Sequence, residues 1–153
     1  MARGQELFNT RRFTIAGVRG LNDLVGLPAI PGTCTTCHNT PNLGNHSTSL
    51  PLDLGLTTAA VRTADMPLYT FRNKTTGELV ETTDPGRALI TGKWTHMSSF
   101  KGPILRGLAA RAPYFHNGLA PTLRDVIDFY DRRFNVGLSA QEKSDLVAFL
   151  RAL

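Results

Sequence analysis

The 153 residues contain two cysteines, three positions apart, with a histidine directly after the second: Cys34-Thr35-Thr36-Cys37-His38. This cluster constrains the fold more than any other stretch. Its flanks, "PGT" before and "NTPNLGNH" after, are turn residues, so the group sits on a loop. Two thiols one turn apart with an adjacent imidazole form the Cys-x-x-Cys-His signature of covalent c-type haem attachment. The spacing has a physical reason. The thiols reach the two vinyl groups on one porphyrin edge, and the following histidine swings under the iron to donate a ring nitrogen. On this reading Cys34 and Cys37 are thioether-bonded and His38 is the proximal ligand.

Three other chemistries use such residues. A structural zinc site needs four ligands. Cys34, Cys37, His38 and His46 supply four by count, although adjacent Cys37 and His38 are awkward partners in one tetrahedron. A thioredoxin-like redox pair sits at a helix start after a strand, whereas Gly/Pro-rich sequence precedes this pair. A disulfide would close a loop of four residues and stabilise little.

A small loop-rich domain has a weak apolar core and needs a staple or a large buried cofactor. The rest of the chain fits that description. The length suits one domain over residues 1–153, and 41% hydrophobic with 19% charged residues is a globular composition. "ARGQELFNTRRF" reads as a short amphipathic helix with Leu7 and Phe8 inward, and "GVRGLNDLVGLPAIPGT" reads as loop. Residues 39–65 lack periodicity. Leu68 to Asn73 and Glu78 to Thr82 pattern as a hairpin with Gly77 in its turn. "PGRALITGKW" suggests a helical turn after Pro85, and Pro103 to Arg111 a short helix that Pro113 ends. Thr122 with Asp125, and Ser139 with Glu142, are capping-box pairs opening two stronger helices. The first puts Leu123, Val126, Ile127, Tyr130 and Phe134 on one face. The second puts Leu146, Val147, Leu150 and Leu153 inward. The expected fold is mostly α, with long loops and one small β-hairpin.

The formal charge is +5, with a pI near 9.7, which suits an acidic partner. The basic residues are scattered and do not interleave with aromatics, so nucleic acid is not an expected partner. No apolar run approaches the ~20 residues that span a bilayer. The first residues have no apolar core or cleavage site of a secretory leader. Either the chain is cytoplasmic or a leader has been removed.

Beyond the cysteines, Phe100-Lys101-Gly102-Pro103-Ile104-Leu105-Arg106, then Ala112 to Gly118 ("APYFHNG"), then Thr122-Leu123 and a helix, form a recognisable series. Together with the cysteine motif it resembles the carboxy-terminal haem domain of bacterial di-haem cytochrome c peroxidases and of the related methylamine-utilisation enzyme. Asn117 stands where those proteins usually have Asp. The resemblance runs from about Gly32 to the last helix and implies a cytochrome c-type fold: helices around one covalent haem c. Those enzymes have two haem domains, and peroxide chemistry occurs at the other one. The resemblance therefore implies an electron-transfer domain with a redox partner protein, placed in the periplasm, where haem is attached. The rival expectation is a peroxidase or oxidase with an open distal site. A third is a binding module without haem.

The resemblance also bears on the distal ligand. The family methionine lies eight residues past the threonine, and that position here is Tyr130; in the methylamine-utilisation relative the ligand is a tyrosine. Tyr130 on an apolar helix face is also ordinary core. Of Met1, Met66 and Met97, Met1 is terminal and unsuited and Met97 is the other candidate; His96, His116 or an open position complete the alternatives. Arg106 matches a family arginine and can pair with a haem propionate. His116 reads as a loop histidine bonded to backbone, Trp94 as core or haem edge, and Asn45 as a chance glycosylation sequon.

Overall fold

The amphipathic segment that opens the chain forms α1 (Ala2–Thr10), and its buried Phe8 faces the core. In the computed structural model, which describes residues 1–38 and 47–153, α1 crosses the last helix, α5 (Ala140–Leu150). Gly4 makes the crossing possible. A Cβ there would lie 2.0 Å from the Asp145 carbonyl oxygen and 2.7 Å from the Phe149 Cβ. Phe8 meets Phe149 with ring centroids 5.5 Å apart. Arg3 adds a two-pronged pair to Asp145, donating from Nε and Nη2 at 2.9 Å each.

In chain order the elements between are β1 (Phe13–Ala16), α2 (Asn22–Val25), β2 (Ala29–Gly32), β3 (Pro51–Leu52), β4 (Tyr69–Arg72), β5 (Leu79–Thr82), α3 (Ala88–Thr91), β6 (Phe100–Lys101) and α4 (Leu123–Phe134). The strands form three separate two-stranded antiparallel sheets: β1–β2, β3–β6 and β4–β5. This corrects the mostly α expectation. Among the described residues there are five α-helices, but small sheets and short turns carry the middle of the chain. The β4–β5 hairpin was expected, and pairs Tyr69 with Thr82 and Arg72 with Leu79. The β1–β2 pair, Phe13 opposite Gly32, replaces part of an expected loop. The helix expected over Pro103 to Arg111 shrinks to a 3₁₀ turn at Leu108–Ala110, because Gly107 takes a left-handed φ of 68° that no α-helix accommodates.

Both capping boxes form. Asp125 N donates to Thr122 Oγ1 and Thr122 N to Asp125 Oδ2; Ser139 and Glu142 exchange the same bonds. One core cluster joins Phe8, Leu105, Leu108, Leu123, Ile127 and Leu150, and a second centres on Ile15, Val18 and Leu52.

Lys143 of α5 ties the helices together, its Nζ lying 2.7 Å from Asp128 and 2.6 Å from Asp131 on α4. Hydrogen bonding to Lys143 holds Asp128 below the ordinary carboxylate range; Asp131 is also lowered, its bonds outweighing burial, and Lys143 itself is raised. The stabilisation is therefore complete between the unfolded Asp and Lys values, about 4 and 10. It fades as pH falls through the depressed carboxylates or rises through the raised amine. Lys143→Met is expected to lower Tm by about 2–4 °C at neutral pH and by less near pH 2. Thermal melts of both proteins across pH check this.

Candidate functional site

Two threonines shape the cysteine segment. Cys34–Thr36 is a 3₁₀ turn, in which Thr33 N donates to Thr36 Oγ1 at 3.0 Å and His38 N donates to Cys34 O at 3.0 Å. Gly32 lets β2 run directly onto this turn: a Cβ there would meet Ile15 Cδ1 at 2.5 Å and Thr36 Oγ1 at 2.8 Å. The helix α1 packs on the other side of the turn, with Phe8 and His38 ring centroids 6.2 Å apart.

Cys34, Cys37 and His38 face a cavity of about 450 Å³ walled mainly by apolar side chains, among them Phe8, Leu56, Leu105 and Phe134. Tyr130 is on the same wall. The structure thus gathers into one space four residues that lie up to 96 positions apart in sequence. The two cysteines are not joined to each other by a disulfide. Burial pushes the Cys34 thiol up to about 12 and raises Cys37 as well. Burial lowers His38 to about 4, so its imidazole is neutral, the form that ligates a metal. His38 Nδ1 is buried and lacks a hydrogen-bond partner among the described residues. Tyr130 is raised, first by burial and then by the neighbouring cysteines. Its ring packs among Phe115, Phe129 and Phe134 at 6.1, 5.4 and 6.2 Å.

These observations fit a haem. The space is large and apolar, two thiols line it, and a neutral imidazole with an unsatisfied ring nitrogen stands beside them. No three His, Cys, Asp or Glu side chains gather as a metal cluster among the described residues. His46 of the four-residue zinc set and Asn45 of the sequon lie outside the described residues.

The remaining expected residues are placed as follows. Met97 is buried, but on a separate pocket of about 160 Å³ shared with Phe71, Leu89 and Trp94. Its carbonyl accepts from Arg19 Nη2, which anchors it there. Trp94 donates its indole N–H to Glu78 at 2.9 Å. His96 Nδ1 contacts Thr91 Oγ1 at 2.9 Å, away from the large cavity. Arg106 is exposed and does not belong to the cavity wall. His116 does line it. Its partner is a carboxylate and not backbone as expected: Nδ1 lies 2.8 Å from Asp84 Oδ2, and the ring packs on Phe100 at 4.4 Å. Sequence reasoning missed Arg11, Lys101 and Arg111, which also reach the wall. Lys101 stood inside the quoted motif, so a signal for it was available.

A family model described as RoxA-like, cytochrome c-like matches residues 99–135. A cytochrome-c peroxidase of Denitromonas iodatirespirans is 35% identical over 133 residues, covering 80% of this chain and 36% of that protein. One from Pseudomonas sp. (strain SCT) is 33% identical over 140 residues, covering 78% and 36%. The cytochrome c551 peroxidase of Nitrosomonas europaea is 29% identical over 136 residues, covering 86% and 34%. The chain thus spans about a third of the length of the curated relatives it matches. No solved structure matches it significantly.

Proposed function

We propose, from the premise that this chain is a cytochrome c-like domain related to the bacterial cytochrome c peroxidases, that it carries one covalent haem c and passes single electrons to and from a redox partner protein. The observation that carries the reading is the gathering of Cys34, Cys37, His38 and Tyr130 on one apolar cavity. The haem supplies a one-electron ferric/ferrous couple. The chain's residues tether it through the two cysteines, ligate it through His38, and exclude water with the core clusters on either side. Burial of this kind keeps reorganisation small and sets the potential.

Tyr130 is the distal ligand in this reading. It shares the cavity with His38, whereas Met97 belongs to another pocket. A phenolate favours ferric iron and gives a low potential. We place the domain in the periplasm, where haem attachment takes place. Among the described residues no helix is long and apolar enough to cross a membrane. The positive net charge suits a partner with an acidic docking face.

A pyridine haemochrome spectrum of protein matured with the haem-attachment machinery tests the cofactor, and absence of the haem c band rejects the reading. Tyr130→Phe is expected to turn the ferric iron from low to high spin, and Met97→Leu to leave it unchanged. A shift with Met97→Leu alone removes Tyr130 from the assignment. His116, which lines the cavity and pairs with Asp84 behind it, favours the rival, a peroxidase-like enzyme with an open distal position. Carbon monoxide separates the two: a closed electron carrier leaves the reduced spectrum unchanged, and an open enzyme binds the gas.

A further inference from the structure

We propose that Lys101 and Arg111 receive the propionate edge of the haem and hold its carboxylates at the mouth of the cavity. The inference rests on the haem reading above. A haem attached through its vinyl groups carries two carboxylates on the opposite edge. The cysteine turn, with α1 packed on it, defines the first edge. The second edge is anionic and cannot lie against an apolar wall without partners. Cations on that wall are therefore its expected partners.

Three permanently charged side chains reach the wall among the described residues: Arg11, Lys101 and Arg111. Arg11 follows α1, on the side of the cysteine turn, and its charge is already met by Glu142. Lys101 ends β6, and Arg111 stands on the segment between β6 and α4. Both are exposed yet contribute to the wall, which puts them at the mouth of the cavity. Neither forms an ion pair with a carboxylate among the described residues. Arg111 is oriented by its own backbone, donating from Nη1 to Ile104 O at 3.0 Å, and keeps the rest of its fork for an anion. His116 lies on the same wall, but Asp84 already occupies its Nδ1. Arg106, exposed and off the wall, is outside this set.

The test uses matured holoprotein with Lys101→Gln, Arg111→Gln, the double variant and Arg106→Gln. Haem content is read by pyridine haemochrome and the midpoint potential by spectroelectrochemistry. A propionate without its cation favours ferric iron. Each single variant is therefore expected to lower the ferrous-to-ferric ratio at fixed potential by about threefold to tenfold, tenfold being 59 mV. The double variant lowers it further, and raised salt shrinks the differences. Arg106→Gln stays within about twofold. No change in the first three, or a shift confined to Arg106→Gln, overturns the proposal while leaving the haem reading intact. Wild-type protein that attaches no haem overturns both.

Discussion

A chain with both Cys34 and Cys37 replaced by alanine is expected to lose its covalent haem and, once the loose haem is extracted, to lose this fold. The magnitude follows from the cavity. A dry void of about 450 Å³ at ~24 cal/mol per Å³ would cost roughly 11 kcal/mol, an upper bound because the mouth beside Lys101 and Arg111 admits water. The whole stability of a domain this size is about 5–15 kcal/mol. On the proposed haem reading, an emptied chain is expected to collapse around the pocket or open. Expected signs are a broad, non-cooperative melt, lost near-ultraviolet circular dichroism and binding of a hydrophobic dye. Retention of a cooperative melt at the wild-type midpoint after haem extraction would refute this account. The single variants leave one thioether, and are expected to keep the haem and most of the stability.

Gly4→Ala is expected to lower Tm by roughly 10 °C. The sign is informative. In an exposed helix interior the same change stabilises by about 1 kcal/mol, because alanine is the better helix former. Here the new methyl carbon would sit 2.0 Å from the Asp145 carbonyl oxygen. That neighbour is backbone within α5, so no side-chain rotation relieves the clash and the two helices must part. Overpacking of this kind costs about 3 kcal/mol at the upper end of its usual range. A melt at or above the wild-type midpoint would mean that α1 does not cross α5 as described.

The parts of the fold that could be read from the sequence are those specified locally. The boxes at Thr122 and Ser139 announce the starts of α4 and α5 within four residues. The β4–β5 hairpin carries its own turn at Gly77. The β1–β2 pair could not be read this way, because Ala29–Gly32 contains a proline and a glycine and its partner lies in another segment. Pro31 is tolerated because a two-stranded sheet has only edge strands, where a missing N–H need not break a ladder. The attachment loop was legible because its chemistry is contiguous. The far wall was not: choosing between Tyr130 and Met97 needs to know which side chain shares a cavity with His38, and spacing along the chain does not encode that. Arg106 illustrates the same limit, since its neighbours Lys101 and Arg111 reach the wall and it does not.

The crossing of α1 and α5 has a consequence for the order of events during folding. The cavity is walled by Phe8 near one end of the chain and by Leu150 near the other. Contacts of such sequence separation are the slow ones to form, because the chain between must first be brought into a loop. Cys34 and Cys37 are therefore expected to stay accessible until the pocket around them is sealed. If they carry the haem as proposed, the attachment reaction would meet a still-open segment and the final helix would close over the product.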